Sequence, residues 1–243
     1  MKTQKSIVAL FALLVLASVT IPAATASAAI KVEGDAYAGI SSKYLWRGFD
    51  LSNGKAVAQG GMDLSAHGVT LSYWSNLDLR SSELNETDFT IDYSTDLNDK
   101  LALSVGNIFY ALDGASDTNE LYLGLSLKTL LSPTLTVYYD YDQAQETGLY
   151  YTLAISHDLE ISKDFSLSLG GLISYNQKSD YAVGNYSALH NYELSLSGAY
   201  AITDQISISP SIIYSNALSD TAKNSPNPIG SEFVGGLNLT LNF

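Results

Sequence analysis

The chain has 243 residues, with 12 basic against 25 acidic side chains, a net charge of −13 and no cysteine. So acidic a surface excludes recognition of a phosphate backbone, and nucleic acid is not an expected partner. The lack of cysteine excludes disulfides and thiolate metal sites as the source of stability.

In chain order, the first element is a leader. Met1-Lys2 and Lys5 give a positive start, Ile7 to Val19 is mostly apolar, and Ala26-Ser27-Ala28 has the small-x-small form of a cleavage site. Residues 1–28 therefore read as a secretory signal peptide, since the apolar run is shorter than the ~20 residues of a spanning helix. Residues 29–243 are the mature domain, and the leader's two lysines leave it with ten basic against 25 acidic residues.

From Lys31 onward the hydrophobic period is two, which places side chains on alternate faces of strands. Less regular segments near 32–47 and 56–66 are followed by Val69-Leu71-Tyr73, by Phe89-Ile91-Tyr93 and by a segment near 101–110. Then come the alternate leucines Leu121 to Leu127, a segment near 135–142, Leu149 to Ile155, Phe165 to Tyr175, Tyr192 to Tyr200 and Ile206 to Tyr214. With the final stretch Leu237-Leu239-Leu241-Phe243 the count is about twelve, and an even number suits a closed antiparallel transmembrane barrel.

Connections alternate in length. Ala66-His67-Gly68, Asn98-Asp99 and Thr203-Asp204 are tight, and 128–133 and 158–164 somewhat longer. Between them fall polar stretches at Gly48–Lys55, Arg80–Glu86, Asp113–Asn119, Gln143–Gly148, Gln177–Ser187 and Ala217–Gly230. Short periplasmic turns and longer extracellular loops are the pattern of an outer-membrane barrel. The expected fold is all-β, a closed antiparallel barrel of about twelve strands, located in the outer membrane of a Gram-negative cell.

Alternation alone leaves open a soluble sandwich, in which the apolar face points to a core. The 17 tyrosines favour the barrel, because Tyr44-Leu45-Trp46, Tyr138-Tyr139 and Tyr150-Tyr151 fall near expected strand ends, where interfacial girdles form. The last strand, closing on Phe243, reads as the C-terminal signal by which the barrel-assembly machinery recognises such chains. The Asn-x-Ser/Thr matches at Asn85, Asn185 and Asn238 are chance in such a protein.

The stretch "SSKYLWRGFDLSNGKAVAQGGMDLSAHGVTLSYWSNLD", residues 41–78, carries Tyr44, Trp46, Arg47 and Gly48, then a Gln-Gly-Gly strand and Trp74-Ser75-Asn76. It resembles the opening of the TorF-family porins, also catalogued as Gcw_chp proteins. The resemblance is specific over about 40 residues. It implies an outer-membrane channel for small solutes and fixes no substrate.

Catalysis is not expected. His67, His157 and His190 lie in a turn or near strand ends, and "ISHDLE" and "ALHNYE" lack the His-x-Ser spacing of outer-membrane lipid hydrolases. Gly48–Lys55 has one residue too many for a phosphate loop and Ala56 where Ser or Thr is needed. Residues 113–120 lack the ordered spacing of a calcium loop. No cofactor or metal is expected.

The expected function is passive diffusion of small hydrophilic solutes, with outer-membrane lipid and lipopolysaccharide around the barrel. A structural or adhesive barrel without a channel, and less so a lipid-modifying enzyme, remain as alternatives. With the apolar rows facing lipid, the opposite rows carry acids inward, which favours cations or zwitterions. The candidate pore-lining residues are Asp63, Asp92, Glu193, Asp140, Arg47 and Glu232. Counting along the first and last strands places Arg47 opposite Glu232, where the two charges are expected to pair.

Overall fold

A computed structural model describes residues 30–146 and 148–243. The expected signal peptide lies outside the described residues. Among these, twelve strands close into one antiparallel barrel. They are β1 (Glu33–Ser41), β4 (Val57–Ala66), β5 (Val69–Asp78), β6 (Glu83–Asn98), β7 (Leu101–Leu112) and β8 (Thr118–Leu127). The circuit continues with β9 (Thr134–Asp140), β10 (Leu149–Ser162), β11 (Phe165–Gln177), β12 (Ser187–Ala201), β13 (Ile206–Ala217) and β14 (Glu232–Asn242). Between β1 and β4, β2 (Leu45–Trp46) and β3 (Phe49–Asp50) form a separate hairpin, and one helical turn, α1 (Asp220–Lys223), follows β13.

The period of two decides which face is wet. On β14, Leu237, Leu239 and Leu241 are exposed, as are Leu169 and Ile173 on β11 and Phe89 and Ile91 on β6. In register, Leu239 faces Ile208 and Ala38, while Asn238 faces Ser209 and Gly39. Apolar residues thus line up with apolar residues around the outside, as lipid requires, and polar ones with polar ones within. The barrel is a transmembrane one.

Closure leaves no free edge. β1 pairs with β14 from Asp35 opposite Asn242 to Ser41 opposite Gly236. The seam continues at Phe243, whose N–H donates to the Gly34 carbonyl at 2.9 Å while the Gly34 N–H donates to the Phe243 carbonyl at 2.9 Å. The unblunted apolar end is therefore an ordinary paired strand, since the ladder has partners on both sides.

The turns follow from local chemistry. His67 and Gly68 have φ of 54° and 82°, the two left-handed positions of a tight hairpin loop, so His67 is an exposed turn residue. Among the boundaries that differ from the sequence reading, β6 begins at Glu83 and β10 runs on to Ser162. At those places the ladder continues into polar residues, whose backbones pair as well as any.

Candidate functional site

Of the fifteen residues between β1 and β4, Tyr44 to Asp50 are buried or half-buried, while Leu51 and Asn53 to Ala56 are exposed. In the register of β2 and β3, Leu45 pairs with Asp50 and Trp46 with Phe49, leaving Arg47 and Gly48 as the two-residue loop. Their φ values, 49° and 81°, are those of the type I′ turn that matches strand twist. The root is fixed by Asp50, whose carboxylate accepts from the Ser52 N–H at 3.0 Å and the Gly54 N–H at 2.6 Å.

The hairpin tip is held inside the barrel from two sides. On one side the Arg47 guanidinium makes a two-pronged pair with Glu120 of β8, at 2.8 and 2.6 Å. The Tyr110 hydroxyl donates to the same carboxylate at 2.9 Å. Both partners are removed from water, with side chains 8% and 1% exposed. Three rings surround the cation: those of Trp46, Tyr138 and Tyr150 are centred 4.5, 5.1 and 4.3 Å from its central carbon. A desolvated cation over aromatic faces gains from each ring's quadrupole, and the fork geometry fixes its direction.

On the other side β12 supplies His190 and Asn191. The His190 Nε2–H donates to the Arg47 carbonyl at 2.7 Å. Because that nitrogen must donate, Nδ1 is the acceptor of the neutral ring, and the Tyr186 hydroxyl donates to it. Burial pushes the Tyr186 hydroxyl up to about 12, so it keeps its proton at neutral pH. Gly48 lies against Asn191, and a Cβ there would stand 3.2 Å from the Asn191 Cβ and 3.1 Å from the Ile229 Cδ1. The turn thus needs glycine both for its φ and for the close approach.

Above the tip, Phe49, Tyr150, Val183, Ala217, Ala222 and Ile229 form a small apolar core. It draws on the hairpin, β10, β13, α1 and two outer loops, so the long-loop end is packed inward.

Of the residues singled out from the sequence, Arg47 lies in the barrel but on the hairpin turn and not on the first strand. Its partner is Glu120. The expected pair with Glu232 is not formed: Glu232 contacts Lys43, which also lies 3.9 Å from Asp50. The sequence count assumed that β1 ran straight through to Arg47, whereas the strand ends at Ser41.

Asp140 is on the inward face, in register with Glu120, but it is fully buried. Its Oδ1 accepts from the Thr118 hydroxyl and the N–H groups of Asp142 and Gln143 at 3.0, 3.0 and 2.9 Å. It organises a turn and does not line open water. Asp92 accepts from the Tyr122 hydroxyl at 2.6 Å, Glu193 from the Asn191 amide at 2.9 Å, and Asp63 faces Asp35 and Ser72 across the ladder.

The inward tyrosines are a second correction. Tyr44, Trp46, Tyr138 and Tyr150 belong to the interior cluster and not to an interfacial girdle. Further along the lumen Tyr122 lies across β7, where a Cβ on Gly106 would stand 2.5 Å from its ring. His190 and Asn191 went unrecognised as site residues, because nothing local in "ALHNYE" reports a partner 143 positions away. A signal did exist in Trp46-Arg47-Gly48-Phe49, where a residue and a glycine between aromatics fit a hairpin turn.

Among known proteins, the family signature described as "bacterial protein of unknown function (Gcw_chp)" matches residues 23–221. The chain belongs to the Gcw_chp family. No curated protein matches it. Solved structures share its fold at low identity. The NanC porin is 15% identical with a TM-score of 0.56, covering 86% of this chain and all of its own. The KdgM porin is 13% identical with a TM-score of 0.54, covering 87% and 99%. An outer-membrane channel of Pseudomonas putida F1 is 12% identical with a TM-score of 0.51, covering 88% and 96%. These likenesses establish the architecture, a porin-type barrel.

Proposed function

We propose that this protein is an outer-membrane channel for passive diffusion of small hydrophilic solutes, narrowed by the β2–β3 hairpin and favouring cations or zwitterions over anions. The observation that carries the reading is the inward face. Towards the short turns it is lined by Ser195, Ser197, Ser209, Asn238, Asp63 and Asp92, of which Ser195 and Asn238 are solvent-exposed despite pointing inward. A barrel serving only as a scaffold has no need of a wet polar bore. The resemblance of residues 41–78 to the TorF-family porins supports the same reading.

Selectivity follows from charge. Asp35, Asp63, Asp92 and Glu193 share the inward face, while Arg47 is neutralised by Glu120 and Lys43 by Glu232. Wall acids in a narrow low-dielectric passage concentrate cations. The KdgM porin has been solved in complex with a disordered oligogalacturonate; an acidic bore makes a polyanion an unsuitable cargo here.

In this reading the outer apolar band contacts outer-membrane lipid and lipopolysaccharide, and the strand ending at Phe243 is what the assembly machinery recognises. A passive channel carries out no reaction. The apolar core at the long-loop end favours a second reading, a sealed structural barrel. The two separate in a planar bilayer. A channel gives a reversal potential of cation sign across a potassium chloride gradient, reduced in the Asp63→Asn/Asp92→Asn/Glu193→Gln variant. Absence of current from folded protein would establish the sealed barrel, and anion preference would overturn the selectivity.

A further inference from the structure

Between the hairpin and the wall formed by β6 to β8 lies a cavity of ≈ 290 Å³, near the small end of the roughly 300–1,000 Å³ typical of ligand pockets. Trp46, Phe49, Glu86, Tyr110, Glu120 and Tyr181 line it. Its walls are therefore aromatic on several sides, with two carboxylates that are more than nine-tenths buried.

The carboxyl groups around this cavity are unequally partnered. Both oxygens of Glu120 are taken by Arg47, and Tyr110 adds a third bond. Glu86 is 8% exposed and has the Tyr44 hydroxyl beside it, but among the described residues no cationic side chain pairs with it. Asp88, the next inward position along β6, keeps Oδ1 buried without a hydrogen-bond partner. A buried carboxyl group is costly to ionise unless a positive partner or enough donors reach it, so Glu86 is the group in this cavity that an entering cation would relieve.

We propose that the cavity is a binding site for a small organic cation, a primary ammonium carried on a flat apolar body. The ammonium pairs with Glu86, and the apolar body lies against the Trp46, Phe49 and Tyr110 rings, whose faces also attract the charge. A metal ion fits less well, because hard cations need several oxygen ligands and no group of three acidic or histidine side chains among the described residues is placed to hold one. The site extends the cation preference proposed above, yet it depends on the hairpin geometry and not on conduction.

The test is binding to folded protein in detergent, read by emission of Trp46 in a Trp74→Phe background, since the chain has two tryptophans, and by calorimetry on the unmodified chain. The probes are phenethylammonium, its neutral counterpart 2-phenylethanol and the anionic 3-phenylpropionate. Saturable binding of the ammonium, at least tenfold tighter than the other two, is expected, and Glu86→Gln should remove most of that difference. No saturable binding of the ammonium, equal binding of the alcohol, or an ammonium preference that Glu86→Gln leaves intact would each overturn the site. The probe series on the unmodified chain decides the matter even if Glu86→Gln does not fold. Current in a bilayer without binding would sink this site alone, and binding without current would leave it standing while the channel reading fails.

Discussion

The two ends of the barrel interior are built on the same strands and differ in what fills them. On β13 the inward row runs from Ser207 and Ser209 near the short turns to Ser215 and Ala217 at the long-loop end. The first two are half-buried and the last two are buried. Nothing in the strand accounts for the change. It comes from the hairpin, which places Gly48 against Asn191, whose side-chain amide in turn donates to Ser215 at 3.1 Å. Strand alternation therefore makes a bore, and an inward-folded loop decides how much of it is open.

The sharpest test of that contrast uses the absence of native cysteine. Ser209→Cys and Ser215→Cys share one strand and one face, so a small charged thiol reagent should label the first rapidly and the second hardly at all. Equal rates would mean that the hairpin does not close the long-loop half. Adding Arg47→Ala should then raise labelling at position 215 while leaving position 209 unchanged.

Arg47→Ala is also the largest expected energetic effect. Removing one member of a buried pair strands the other, and the typical cost is about 3–5 kcal/mol. That cost should fall on the docking of the hairpin, since the barrel ladder does not pass through residue 47. Single-channel current should rise or become noisy while the folded form still resists unheated detergent. Loss of the heat-resistant form would instead show that the hairpin is needed for the barrel to close.

The second anchor should matter less. His190→Leu removes one donor to the Arg47 carbonyl and one acceptor for Tyr186, and an unsatisfied buried group costs about 1–3 kcal/mol. Tyr186→Phe removes only the outer bond and keeps the ring. The expected order of hairpin release, read by labelling at position 215, is Arg47→Ala, then His190→Leu, then Tyr186→Phe. An inverted order would place the main anchor on the β12 side.

The barrel was legible in the sequence because its rule is local. Lipid outside and polar residues within impose a period of two, and Leu237-Leu239-Leu241 or Phe89-Ile91-Tyr93 display it without reference to any other strand. The constriction was legible only in part. Arg47 and the inward acids could be picked out by type and parity, but their partners could not, because pairing depends on where a loop folds. Reading residues 32–47 as one strand carried Arg47 to the wrong wall and to the wrong partner. Tyrosine shows the same limit: the residue suits a girdle and a cation cage equally well, and only the fold assigned Tyr138 and Tyr150 to the latter.

The smallest effect is expected where the sequence reading placed a functional pair. Glu232 does form an ion pair, but with Lys43, and the two side chains are 27% and 19% exposed. Hydrogen bonding to Glu232 raises the Lys43 ammonium above its usual range, burial opposing, so the ammonium keeps its proton at neutral pH. A raised lysine contributes most while it is protonated, and its contribution fades only as the pH climbs through that raised value in the alkaline range. Solvent reaches this partly exposed pair and screens it, and its worth is about 0–1 kcal/mol. Lys43→Ala should therefore leave the unfolding temperature of the barrel and labelling at position 215 nearly unchanged. Its effect should appear in selectivity, because Glu232 at the rim is then no longer neutralised. A slightly stronger cation preference, larger at low salt where the Debye length is longer, is the expected outcome. Hairpin release comparable to that of Arg47→Ala would show that the root of the loop, and not its tip, holds the constriction in place.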